Sequence, residues 1–244
     1  MSRLYLKAEN LKDRTVISDC FFTAPIKIAK PFYYKNHTEI MMMAASAGIL
    51  DGDFYDIELE VCENAALKFT GQSYTKLFKA TNNGAEQKVK LTVKSGGKLL
   101  YFPTPVIPFC GSIFKSYTEI YLSANSKFAM LDVISCGRKA MNEEFQFKIY
   151  RSRIAVYIDN RLKFLDNQRL MPEEAKIGGM GFFEGFSHTG MMYIYGKEKF
   201  NLPECQNVEA AITNAYEGLC IRIFANSGDE IVRFANKIIE EINF

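Results

Sequence analysis

Tryptophan is absent from this 244-residue chain, and histidine occurs only twice, at His37 and His188. So small an imidazole supply argues against a histidine-rich metal centre or a histidine relay. Paired CxxC cysteines are also missing. The six cysteines, Cys20, Cys62, Cys110, Cys136, Cys205 and Cys220, are scattered. That pattern predicts reduced, mostly buried thiols of a cytosolic protein. Charge of one sign is lacking as well: the formal net charge is +2. No basic footprint for nucleic acid results, and the lysines do not cluster into a polybasic membrane segment. The longest apolar run, Ile40 to Leu50, is too short to cross a bilayer. The opening MSRLYLKAENLKDR alternates and carries charge, with no apolar signal-peptide core. A cytoplasmic chain with neither nucleic acid nor membrane as partner is expected.

Catalytic and nucleotide-binding signatures are missing too. No GxxxxGK[ST] is present, and the glycine-rich residues 178–185 do not form GxGxxG after a strand. No GxSxG elbow accompanies either histidine, and His188 reads as a structural histidine. Asp51, Asp53 and Asp56 surround the glycine turn of SAGILDGDFYD. An EF-hand starting at Asp51 needs glycine at its sixth position and finds Asp56. A metal-dependent hydrolase using Asp53, Asp132 and Glu143 lacks HxxH, HxH or HExxH spacing to supply nitrogen ligands. No enzyme and no tight metal site are expected.

What is present is a strand pattern. DIELEV, QKVKLTV and YTEIYLS alternate apolar and polar residues. Each is followed by a short polar turn at 63–65, 95–97 and 124–126, then by another apolar strand. Aligning Val61, Val93 and Leu122 gives a period of roughly 30 residues, the mark of a stacked architecture. Ordinary hairpins of a β-sandwich are the alternative, because they share regular strand spacing. The expectation is one mainly-β domain over 1–244. It consists of a β-helix-like stack over 1–205 and a small helical α-β-α cap over 206–244. In the cap, Asn207 would start a helix over 207–217, LCIRIFA would be a strand, and Ser227 with Glu230 would form a capping box. Ile231, Phe234, Ala235, Ile238, Ile239 and Ile242 mark an amphipathic helix near 228–242. Asp132 is out of place in the apolar run FAMLDVI, where an ionised carboxylate needs a partner or water.

Six segments occur in a telling order: FFTAPIKIAKPFY, AxxAGILDGDxxDIELEV, FTGQSYTKLF, LLYFPTPVIPF, LDVISCGRKAMNEEFQF and GFFEGFSHTGMMYI. Together, over residues 15 to 225, they resemble the UreD (UreH) family of urease accessory proteins. The resemblance implies a β-helix-like fold and a nickel-insertion chaperone rather than an enzyme. Its expected partners are UreF, UreG through UreF, and the urease apoprotein. Its cargo would be transient Ni²⁺, with no tightly bound cofactor. Carried over residue by residue, it implies metal-path acids at Asp53, Asp132, Glu143 and Asp166. Gly52, Thr75, Lys76, Gly137 and Arg138 would support them. Lys76 would balance charge near the acids, and Asp53 and Asp132 would face an internal wet passage. Asp51 and Asp56 would cap the turn. Ala47 and Asp51 depart from the glycines usual in the family's turn. A structural adaptor that docks the same partners without handling metal is the alternative. The aromatic stretches LLYFPTPVIPF and GMGFFEGF are expected to supply the partner surface.

Overall fold

The roughly 30-residue spacing is the pitch of a stack. The computed structural model describes residues 1–196 and 200–242. Near the start, β1 (Ser2–Leu11), β2 (Arg14–Phe22), β3 (Ile26–Ile28), β4 (Phe32–Tyr33) and β5 (Thr38–Ala44) make the first layer. Next come β6 (Phe54–Val61), β7 (Ala66–Gly71) and β8 (Thr75–Leu77). Then follow β9 (Ala85–Val93), β10 (Lys98–Phe102) and β11 (Val106–Pro108), and after them β12 (Ile113–Leu122) and β13 (Lys127–Ser135).

Successive coils pair in parallel, with Val61 opposite Val93 and Val93 opposite Leu122. On the other wall, Leu67 pairs with Leu99 and Leu99 with Phe128. These are the alignments that the repeat required, and they give a β-solenoid-like stack of about four turns. The sandwich alternative is thereby set aside.

The wall strands alternate because one face is inside. In β6, Tyr55, Ile57, Leu59 and Val61 are buried while the intervening residues are less so. The corners stack as well: Asn64 N–H donates to the Ser95 carbonyl at 3.1 Å, and Asn125 Nδ2 donates to Ser95 Oγ at 2.9 Å. The Asn125 and Ser95 side chains thus tie the corner of one layer to that of the next.

Past the last full coil, β14 (Gly137–Arg138) and β15 (Glu143–Glu144) form a small separate ladder. Strands β16 (Ile149–Ile158) and β17 (Arg161–Leu170) complete a seven-stranded sheet that ends in β17. β18 (His188–Tyr195), β19 (Val208–Ala215) and β20 (Gly218–Ala225) extend the opposite, eleven-stranded sheet, followed by α1 (Gly228–Glu241).

Two cores result. One lies between the sheets and holds Phe128, Met130 and Ile134. The other lies between the second sheet and α1 and holds Ala129, Leu131 and Val133. β13 is therefore buried on both faces, which is why FAMLDVI is apolar without alternation.

The expected helix over 207–217 is a strand. β19 pairs antiparallel with β20 along its whole length, and the turn passes through Glu217 at φ 57°. Val208, Ala210 and Ile212 pack on the α1 core while Glu209, Ala211 and Thr213 are exposed. That alternation was masked because Val208, Ala211, Ile212 and Ala215 also fit helical spacing. The free edge of β20 decided between them, so the cap is β-β-α. Its helix is close to expectation, with Ile231, Phe234, Ala235 and Ile238 buried. The capping box does not form: Ser227 makes no side-chain cap, and Glu230 instead accepts a hydrogen bond from Asn207 Nδ2 at 2.9 Å.

Candidate functional site

The three turn aspartates have separate tasks. Asp51 reaches across to the neighbouring turn. There it accepts from the backbone N–H groups of Thr81, Asn82 and Gly84, the Thr81 hydroxyl and Asn82 Nδ2, at 2.9 to 3.1 Å. Hydrogen bonds to its charged form, led by the Thr81 N–H, hold its carboxyl below the usual range. Asp53 accepts from the Leu50 N–H at 2.8 Å and so closes its own turn. Asp56 lies 3.5 Å from the Arg3 guanidinium. Gly52, between them, adopts φ 83°, a left-handed conformation suited to glycine.

The QSYTK segment packs beside this turn. A Cβ on Gly48 would lie 2.4 Å from the Lys76 carbonyl oxygen, so the family-like glycine permits close backbone approach. The Lys76 carbonyl accepts from the Ile49 N–H at 2.8 Å, and its side chain is exposed. The Thr75 hydroxyl is 3.3 Å from that of Thr104. Ser46, Gly48, Tyr55, Gln72, Thr75 and Lys76 help line a cavity of about 180 Å³ here.

Asp132 is different. Its inward phase on β13, shared with Phe128, Met130 and Ile134, directs it between the sheets. There it accepts a hydrogen bond from Ser152 Oγ of the opposite sheet at 2.9 Å. Burial pushes its carboxyl up to about 6. The nearby Asp166 charge adds to the rise, while Ser152 and Arg222 oppose it. Asp166, on β17, pairs with Arg222 of β20, joining the two sheets. Burial also raises the Tyr101 and Tyr150 phenols, helped by the Asp132 charge.

Glu143 belongs to a separate structure. It accepts from Arg138 Nε at 2.7 Å and from the Cys110 N–H at 3.3 Å, and the Arg138 hydrogen bond holds its carboxyl low. The same guanidinium lies 4.0 Å from the Phe109 ring centroid. A Cβ on Gly137 would sit 2.2 Å from the Glu143 carbonyl oxygen, so this narrow ladder needs glycine there.

The structure thus brings Asp132 and Asp166 together, while Asp53 and Glu143 are engaged in local bonds. Among the described residues, no three His, Cys, Asp or Glu side chains form a group that could hold a metal ion. Two site residues were missed in the sequence, Ser152 and Arg222. Arg222 carried a signal of the same kind as Asp132, a charge inside the apolar run LCIRIFA.

Two further expectations change. Cys20, Cys110 and Cys205 are exposed, so the thiols are not mostly buried. Of the stretches named as partner surface, LLYFPTPVIPF is largely internal, with Leu99, Tyr101 and Phe102 buried, whereas in GMGFFEGF only Phe183 is buried and Met180 is 90% exposed. Among the described residues, the exposed aromatics are Phe21, Phe22, Phe32, Tyr33, Tyr34 and Tyr216.

Known proteins align with this chain over nearly all its length. A family model described as UreD urease accessory protein matches residues 1–243. A protein of Acetivibrio thermocellus named urease accessory protein UreD is 37% identical over 94% of this chain and 92% of its own. A Helicobacter hepaticus protein named urease accessory protein UreH is 33% identical over 95% of this chain and 90% of its own. One from Helicobacter pylori strain G27, with the same name, is 31% identical over 97% and 93%. With a full-length family match and relatives of this similarity, the chain belongs to the UreD family of urease accessory proteins.

Proposed function

We propose that this protein is a urease maturation factor: a scaffold and conduit that passes Ni²⁺ to the urease apoprotein in a cytoplasmic complex with UreF and UreG. It has no catalysis of its own on this reading. Family membership supports the role in urease maturation. Among the described residues, no helix is long and apolar enough to cross a membrane.

The observation that carries the metal-handling part is Asp132. A carboxylate held between two sheets by one hydroxyl is costly to keep. Ni²⁺ accepts carboxylate and water ligands, and a conduit must hold its ion loosely enough to release it. An acid with one firm partner leaves lone pairs for a passing ion. Asp53 would meet the ion earlier, beside the cavity at the QSYTK segment.

The adaptor reading is favoured by a different observation. Asp51, Asp53, Asp56 and Glu143 are all engaged in bonds that shape turns or ladders. Asp132→Asn separates the two readings, because it keeps the Ser152 hydrogen bond and removes the charge. In cells expressing urease with its accessory proteins, the variant should lower urease activity and nickel content. Pull-down with UreF and urease should be unchanged. Normal activation by Asp132→Asn, and by Asp53→Ala combined with it, would establish the adaptor instead.

A further inference from the structure

We propose that Arg222 is the internal counter-ion of the candidate path, keeping the Asp132–Asp166 acids occupied until a divalent cation displaces it. The inference rests on the conduit reading above.

The geometry begins with strand register. Asp132 of β13 lies opposite Met191 of β18, and Met191 lies opposite Arg222 of β20. Opposed residues in a ladder point to the same side of the sheet. Asp132 and Arg222 therefore sit in one row on the face toward the other sheet, separated by a methionine. Across the gap stand Ser152 of β16 and Asp166 of β17.

Arg222 Nη2 bonds Asp166 Oδ1, and Nη1 lies 3.5 Å from Asp166 Oδ2, a two-point clasp across the seam. The charges felt by Asp132 are those of Asp166 and Arg222. Cys220, on the same strand, is the other titratable group beside the guanidinium.

Position matters as much as charge. The Asp166 side chain is 15% exposed and that of Arg222 43%. The pair lies where the sheets end, in β17 on one side and the β20–β19 hairpin on the other. A second clasp, Lys163 Nζ to Glu217 Oε1 at 3.1 Å, crosses the same seam. The Arg222 side chain can swing toward solvent without unpacking the core, because at 43% it is already partly exposed.

The chemistry follows from what a guanidinium is. It remains protonated at any accessible pH and offers donors only, so it neutralises carboxylates and cannot ligate a metal. With Arg222 in place, the row carries two acids and one fixed cation. With Arg222 swung out, the two acids face a common space and suit a hard or borderline divalent ion. The exchange keeps the seam near neutrality in both states and makes retention weak, because Arg222 competes for return.

Calorimetric titration of the full-length chain with Ni²⁺ tests this, with circular dichroism as the check on folding. Wild type should show no stoichiometric binding. Arg222→Gln should gain one site, with affinity higher by on the order of tenfold or more, the effect of one neighbouring charge on a carboxylate. Arg222→Lys, a point charge without the fork, should give a smaller gain. The Arg222→Gln, Asp166→Asn double variant should lose the site. A folded Arg222→Gln that binds no better than wild type would overturn the proposal, as would a site that persists in the double variant. If Arg222→Gln does not fold, an unchanged affinity in folded Arg222→Lys decides against it. This readout needs no urease, so its failure is distinct from failure of the conduit reading, which Asp132→Asn judges by activation.

Discussion

Asp51 and Asp132 occupy one solenoid under opposite regimes. Asp51 lies in a surface turn, where five donors converge on its carboxylate. Asp132 lies between the sheets, where Ser152 gives it a single hydroxyl. Hydrogen bonding lowers the first carboxyl, and burial raises the second to about 6. The surface acid, expected from the sequence to cap its turn, has its carboxylate fully engaged by its own fold. The interior acid is the one with coordination capacity left. Saturation by backbone donors marks a structural acid, and an incompletely satisfied buried acid is the better candidate for function.

The contrast can be broken most severely by opening the packed core beside the partly buried Asp132 to more water. Tyr150 is 1% exposed in the inter-sheet core and close enough to Asp132 for the two charges to interact. Tyr150→Ala should cost about 3–5 kcal/mol in urea unfolding. A carbon-13 titration should also show the Asp132 carboxyl moving down toward its ordinary value. A carboxyl still near 6 in the folded variant would mean that burial is not the cause of its shift.

Asp132→Asn should do the reverse and stabilise the protein. The folded value of about 6 exceeds the ordinary 3.8, so the folded state holds the proton more tightly. Stability then falls as pH rises through that window, and the loss is complete above it. Removing the charge should recover on the order of 2–3 kcal/mol at pH 7 and nothing below about pH 4. Thermal melts across that range check the sign. A variant both more stable and poorer in urease activation would show an acid kept for function rather than for folding.

Asp51→Ala should carry the opposite pH signature. Its lowered carboxyl contributes stability above the ordinary value, and this is lost as pH falls through the folded value. The variant should melt below wild type at neutral pH and converge with it in acid. Faster amide exchange at Thr81, Asn82 and Gly84 should accompany the loss, since these N–H groups donate to Asp51. The smallest effect belongs to Asp53→Ala. With one exposed bond to the Leu50 N–H, its removal should cost about 1 kcal/mol or less. If urease activation nonetheless falls, Asp53 has a role beyond closing its turn.

Much of the fold was legible because a solenoid is a local repeat. Val61, Val93 and Leu122 could be aligned by eye, since each coil must present an apolar residue to the same interior row. The C-terminal hairpin was not legible, because VEAAITNA satisfies two periods and only the unpaired edge of β20 selects one. The acids divide in the same way. Asp132 was conspicuous because its neighbours on both sides in sequence are apolar. The pairing of Asp166 with Arg222 could not be seen, because it joins strands from opposite sheets, 56 positions apart.

The sequence by itself determined the stack, its pitch, its polar corners and its family, because each is written in neighbouring residues or in ordered motifs. Only the tertiary structure decided which acids are free to act. A carboxylate's chemistry depends on the donors and water around it. For Asp51 those donors come from an adjacent turn, and for Asp132 its hydroxyl partner and its neighbouring charges come from the opposite sheet and from β20.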